Sequence, residues 1–247
     1  MLATVNQALE NIDNFIWGLP LIILILATGI LLTVRLRGLQ IRHLGKALHY
    51  VFHNEEDGDG EVTSFGALCT ALSATIGTGN IVGCATAIVA GGPGAMFWMW
   101  MAALFGMATK YTEGMLAVKY REIDEEGHAL GGPFYYIEKG MGKNWKWLAK
   151  VFCVFGVMVG LFGIGTFTQV NGITSAVNNF FDPNNANTIA LFGREYSWSV
   201  VIAGIILTVC VGLVVIGGIQ RISKVSEIIV PFMAVTYVAV CLIIVFT

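Results

Sequence analysis

Ser73-Ala74-Thr75-Ile76-Gly77-Thr78-Gly79-Asn80-Ile81-Val82-Gly83 lies inside an apolar stretch that runs over 62–90. As one helix that stretch would measure roughly 43 Å at about 1.5 Å per residue, longer than the hydrocarbon core of a bilayer. Gly77 and Gly79 each cost a helix interior about 1 kcal/mol relative to alanine. Three hydroxyls and an amide crowd the same two turns. The pattern predicts a helix that breaks near 76–79. Unwound backbone inside a membrane has to be buried in protein or line a cavity, because lipid cannot satisfy it. The inner half would then end in free carbonyls from Ser73 to Ile76, which suit a hard cation. The outer half would begin with free amides at Thr78, Gly79 and Asn80, which suit a carboxylate. Asn80 adds a neutral side-chain oxygen. Helix packing is the competing reading, since Gly79 and Gly83 form a small-xxx-small pair.

Composition sets the class around this stretch. The chain has 247 residues, 56% hydrophobic and only 12% charged, with a mean hydropathy of +0.74. Soluble domains carry about 25% charged residues, so too little polar surface is left for a water-soluble fold. Six apolar segments are expected to span the bilayer, at 15–36, 62–90, 94–120, 147–178, 198–216 and 225–247. The first has no basic residue before it and no small-residue cleavage site after it, so it reads as a spanning helix and not as a signal peptide. The net charge of −2 comes without a basic, aromatic stripe, and nucleic acid is not expected as a partner. Cys69, Cys84, Cys153, Cys210 and Cys241 are scattered and read as small core residues.

The connections are polar. Residues 38–53 are basic and weakly amphipathic, which fits a piece lying along the membrane surface. Residues 54–61 form an acidic loop without the spacing of a calcium site. Residues 122–142 form a charged loop with a short amphipathic piece at 133–141, and 179–196 reads as a turn-forming loop around Pro183. With the N-terminus outside, all but two of the 14 Lys and Arg residues fall on the inner side; the exceptions are Arg194 and Lys110. The positive-inside rule therefore predicts that 37–61, 121–146 and 217–224 are cytoplasmic.

Other polar residues carry weaker signals. Gln169 lies in the outer half of the fourth segment, where its amide needs a partner inside the bundle: either a polar solute or another helix. Lys110 and Glu113 are spaced to pair on one helix face, as a gate or as a structural pair. Glu227 with Pro231 predicts a kink near the start of the sixth segment. His49 and His53 stand one turn apart without further metal ligands nearby. No hydroxyl or thiol has a convincing base partner, and no phosphate-binding loop is present. No Asp or His falls within the six spans, which leaves little for an intramembrane enzyme.

The run Gly91-Gly92-Pro93-Gly94-Ala95-Met96-Phe97-Trp98-Met99-Trp100-Met101-Ala102-Ala103-Leu104-Phe105-Gly106 resembles the signature of the alanine or glycine:cation symporter family, also called sodium:alanine symporters. The residues from Ala74 to Gly83 are similar to that family too. So is Gly131-Gly132-Pro133-Phe134-Tyr135-Tyr136-Ile137. The resemblance implies an all-α integral membrane protein with a leucine-transporter-like fold. On that reading 1–36 is a lead helix, 37–61 a cytoplasmic connection, and 62–247 the first five-helix inverted repeat. Family members run to nearly twice this length, so the second repeat is expected to be absent and the chain to be an N-terminal fragment whose parent carries the C-terminal half.

The resemblance further implies a secondary active transporter that brings alanine or glycine into the cell with Na⁺ by alternating access, with no organic cofactor. Thr78, Gly79, Asn80 and Gln169 would face the substrate. The carbonyl of Thr75 and the side chain of Asn80 would ligate one Na⁺, and the carbonyls of Ser73 and Ile76 would offer half of a second site. The alternative is a non-transporting membrane scaffold, or a half-protein that needs a partner chain.

Overall fold

The computed structural model describes residues 2–53, 62–191 and 193–247. The expected acidic loop at 54–61 lies outside them. The chain begins with α1 (Leu2–Ile16) and α2 (Leu19–Arg35), followed by the short α3 (Leu39–Arg42) and α4 (Leu44–Phe52). Next come α5 (Ser64–Thr75), a single 3-10 turn (Thr78–Asn80), α6 (Val82–Gly91) and α7 (Pro93–Lys119). A hairpin of β1 (Glu122–Ile123) and β2 (Ala129–Leu130) leads to α8 (Pro133–Met141). After it stand α9 (Lys146–Phe162) and α10 (Ile164–Phe181), then a hairpin of β3 (Thr188–Leu191) and β4 (Arg194–Ser197). The last helices are α11 (Trp198–Val215) and α12 (Gly218–Phe246).

The helices form two compact units. The first takes the residues up to Leu48 together with Ala87–Phe152. Its spine is α2 packed along α7. Gly29 permits that approach: a Cβ there would stand 2.8 Å from the Phe105 Cβ. Proline opens both α7 and α8, where a missing N–H costs nothing. Gly92, just before α7, holds φ +67, a backbone conformation that side-chain-bearing residues rarely adopt.

The second unit takes His49–Thr86 and Cys153–Thr247. Here α5 packs against α12, α10 against α11, and α11 against α12. Among the described residues, those it buries are mostly small or hydroxylated: Gly66, Cys69, Thr174, Ser197, Ala203, Ser223 and Ser226, with Val230 beside them. Large apolar side chains such as Phe155, Leu161, Ile206 and Phe232 point outward. This inverts a soluble protein, and it is what helices packed through small residues in lipid require.

Among the described residues, four stretches are long and apolar enough to cross a membrane: Thr4–Arg35, Lys143–Phe181, Trp198–Val215 and Gly218–Phe246. The pair Ser64–Thr75 and Thr78–Gly91, bent by 72°, makes a fifth. The sixth expected span, α7, is 27 residues long, but Trp98, Trp100, Lys110, Tyr111 and Glu113 dilute its apolar character.

Several expectations change. The first segment is not one helix from Phe15; Pro20 cannot donate to the preceding turn, and the chain breaks at Trp17-Gly18 between α1 and α2. The segment at 147–178 divides at Gly163, which adopts a left-handed conformation with φ +59. The stretch at 179–196 contains a hairpin, and so does 122–130, so the fold is helical with two small β additions. The connection expected at 217–224 is taken up almost entirely by the start of α12. The amphipathic piece at 133–141 coincides with α8, and 38–53 holds two short helices.

Candidate functional site

The helix broken between α5 and α6 builds the site. At the end of α5, the Ile76 amide still reaches Leu72 O at 2.7 Å. The carbonyls of Ser73, Ala74, Thr75 and Ile76 then accept no backbone N–H among the described residues. They form the open, electronegative end of a helix. The hydroxyls of Ser73 and Thr75 turn back on their own helix, donating to Thr70 O at 2.7 Å and Ala71 O at 2.6 Å.

The 3-10 turn is closed reciprocally. The Gly77 amide donates to Asn80 Oδ1 at 3.0 Å, and the Asn80 amide donates to Gly77 O at 3.0 Å. Asn80 was expected to offer its side-chain oxygen to a cation. That oxygen is already holding the turn, although an amide oxygen retains a second lone pair. The Gly79 amide has no acceptor among the described residues, and nothing stands within 4 Å of where its Cβ would be.

Gln169 on α10 reaches the broken helix. Its Oε1 accepts from the Thr78 amide at 2.8 Å and from the Thr78 hydroxyl at 2.9 Å. The structure thus brings together two residues that the sequence placed 91 positions apart. Gly77 makes room for the contact: a Cβ there would fall onto the Gln169 amide nitrogen. On the other side, Gly172 makes room for Thr78, whose Cγ2 would stand 2.7 Å from a Cβ at 172. Sequence reasoning did not single out Gly172. Its signal was its place one turn after Gln169 on the same face.

Ser73, Thr75, Ile76, Thr78, Gly79, Asn80 and Gln169 therefore share one region of the second unit. Carbonyls lie on one side of the break, and a free amide with the Gln169–Thr78 pair lies on the other. An unpaired carbonyl set suits a hard cation, and an unpaired amide suits an anionic oxygen.

Lys110 and Glu113 lie on α7 in the first unit and pair at 2.9 Å, with side chains 77% and 42% exposed. Nearby, burial raises the pKa of the Tyr136 phenol, and the charge of Glu113 adds to the effect. At the far end of α10, Asp182 accepts from the amides of Ala186 at 2.8 Å and Asn187 at 3.2 Å and from the Ser197 hydroxyl at 2.9 Å. These donors, the Ala186 amide foremost, hold its carboxyl below the usual range.

Long apolar spans and a helix broken at an open polar turn define a multi-pass membrane protein. The family model for the sodium:alanine symporter family matches residues 2–247. The chain belongs to that family. An uncharacterized transporter of Haemophilus influenzae is 54% identical over 242 residues, covering 98% of this chain and 49% of its own length. The sodium/alanine symporter AgcS of Methanococcus maripaludis is 45% identical over 241 residues, 95% of this chain and 49% of its own. The probable sodium/glutamine symporter GlnT of Bacillus subtilis is 35% identical over 248 residues, 98% and 48%. The chain spans about half the length of the curated relatives it matches. They are transporters and not enzymes, in keeping with the expectation from sequence.

Proposed function

We propose that this protein imports a small neutral amino acid, alanine or glycine, together with Na⁺ by alternating access. The observation that carries the reading is the broken helix, with open carbonyls at Ser73–Ile76 and an open amide at Gly79. One break thereby offers a place for a cation and a place for a carboxylate, the two charges of a sodium-driven amino-acid symport. The names of relatives point the same way: one is a sodium/alanine symporter, another a probable sodium/glutamine symporter.

The arrangement we favour is leucine-transporter-like. Helices α1 and α2 form the lead, and the first five-helix repeat runs α5 with α6, α7, α9 with α10, α11 and α12. The N-terminus is outside, and the basic connections at 37–61, 121–146 and 217–224 are cytoplasmic. Carbonyls of Ser73, Thr75 and Ile76, with the second lone pair of Asn80 Oδ1, ligate Na⁺. The amide of Gly79 takes the substrate carboxylate, joined by Thr78 and Asn80. Gln169 holds Thr78 in place and faces the same space. One charge moving through about 100 mV gains about 2.3 kcal/mol, enough for about 50-fold accumulation. Preference for a small substrate has to be steric, since an extra CH₂ gains only about 0.8 kcal/mol from burial.

The test is uptake of labelled alanine and glycine into proteoliposomes with and without an inward Na⁺ gradient. Uptake should require the gradient, and Asn80→Ala should raise the Na⁺ concentration needed for half-maximal rate. Uptake that ignores the gradient would refute the coupling.

A further inference from the structure

A second polar contact lies at the other end of α5, away from the break. Thr63 caps this helix: its Oγ1 accepts from the Gly66 amide at 2.9 Å. The same hydroxyl donates to Glu227 Oε1 on α12 at 3.0 Å. Gly66 is buried, and a Cβ there would fall onto both Glu227 Oε1 and Ser223 Oγ. Side chains of α12 therefore reach the backbone of α5 at this point. A polar cavity of about 300 Å³ opens beside the contact, lined by Val62, Thr63, Gln220, Ser223, Lys224 and Glu227.

The rest of the α5–α12 seam is made of small groups. Cys69 is 1% exposed, Ser223 2%, Val230 4% and Ser226 6%. Such residues let helices approach closely but interlock little volume. Further along, Ser226 donates to Ser73 at 3.3 Å, a long bond between neutral hydroxyls. The bond from Thr63 to a carboxylate is shorter and charge-assisted, at the exposed end of the seam. Pro231 stands four residues after Glu227 inside α12 and cannot donate to the Glu227 carbonyl. The carboxylate thus sits on a turn of α12 that already lacks one helical bond. Thr63 lies about 20 Å along α5 from the break at Ile76, taking about 1.5 Å per residue.

We infer that Glu227 is a positioning residue: by accepting the Thr63 hydroxyl it holds α5 in place on α12, and so sets where the carbonyls of Ser73–Ile76 stand. The consequence for sodium rests on the function proposed above; the hold on α5 does not.

Cys69 provides a native reporter, because it is sealed in the seam that the contact closes. In membranes from cells making the protein with Cys84, Cys153, Cys210 and Cys241 replaced by alanine, N-ethylmaleimide should label Cys69 slowly. Glu227→Ala and Thr63→Val should each speed that labelling about threefold or more, the size of one hydrogen bond exposed to solvent. Glu227→Gln, which keeps an acceptor oxygen and the same shape, should speed it less. Thr63→Ser should restore the slow rate. Thr63→Val combined with Glu227→Ala should be no faster than Thr63→Val alone, because that variant already lacks the contact with Glu227 together with the cap on the Gly66 amide. Should Glu227→Ala fail to accumulate, Thr63→Val and Glu227→Gln carry the same comparison.

Labelling unchanged in these variants, or effects that add in the double variant, would overturn the inference. In the transport arm, the Na⁺ concentration for half-maximal alanine uptake should rise with the labelling rate, and Thr63→Ser should rescue it. Faster labelling with unaltered Na⁺ dependence would leave the hold on α5 standing and overturn the sodium role of the carbonyls, which is a failure of the proposed function alone.

Discussion

Gln169 Oε1 accepts two hydrogen bonds from Thr78, one from the amide at 2.8 Å and one from the hydroxyl at 2.9 Å. A side chain of α10 thereby holds the turn at which the broken helix changes direction. Removing that acceptor leaves two half-buried donors unsatisfied, which costs about 1–3 kcal/mol. Gln169→Leu should raise the KM for alanine at least about tenfold, the equivalent of 1.4 kcal/mol, and lower thermal stability. Gln169→Glu keeps the acceptor but sets a negative charge beside the proposed carboxylate position. It should therefore preserve stability while losing alanine affinity, read by thermal unfolding in detergent beside uptake kinetics.

Gly77 and Gly79 are two residues apart but face different surroundings. A Cβ at Gly77 would collide with the Gln169 amide, whereas at Gly79 it meets nothing within 4 Å. Gly77→Ala should lower stability by about 1–3 kcal/mol, in the range of overpacked sites. Gly79→Ala should leave the melting temperature nearly unchanged and still weaken alanine binding, because the added methyl narrows access to the proposed carboxylate site. Melting curves with and without alanine separate the two effects.

Asp182 ties the end of α10 to the β3–β4 hairpin and to Ser197 at the start of α11. Its pKa is depressed in the folded protein, chiefly by the Ala186 amide. Its contribution is then complete above the ordinary carboxylate value, about 3.9. It is lost as pH falls through the lower folded value. Asp182→Asn should loosen the hairpin at pH 7, seen as faster proteolytic nicking there, and the wild-type protein should approach the variant's rate only below about pH 4.

The Lys110–Glu113 pair is exposed at 2.9 Å. Pairs of this kind contribute about 0–1 kcal/mol. Replacing both with Met and Gln should change uptake by less than about twofold, as expected of a structural pair. A large loss of rate with intact protein levels would restore the gate reading.

The membrane class, the break and most spans were legible in the residues alone. An overlong apolar stretch carrying Gly77, Gly79 and three hydroxyls has few ways to cross a bilayer, and the bend duly falls between Thr75 and Thr78. The breaks at Gly18 and Gly163 were not read. Both lie in apolar runs long enough to pass as single helices, and the left-handed conformation of Gly163 leaves no trace in hydropathy. The hairpin at 188–197 was hidden for another reason. The chain is led into it by Asp182 binding the amides of Ala186 and Asn187, a contact that composition does not encode.

Sequence by itself determined that Asn80, Thr78 and Gln169 would be polar groups in an apolar setting that need partners. It did so because the energy of an unsatisfied group in lipid is independent of fold. Only the tertiary structure decided which partners they take: Asn80 turns onto Gly77, and Thr78 onto Gln169. It also decided that Glu227 meets Thr63 across 164 residues. Such pairings follow from which helices pack side by side, and the close approach allowed at Gly66, Gly77 and Gly172 is a property of two chain segments together and of neither alone.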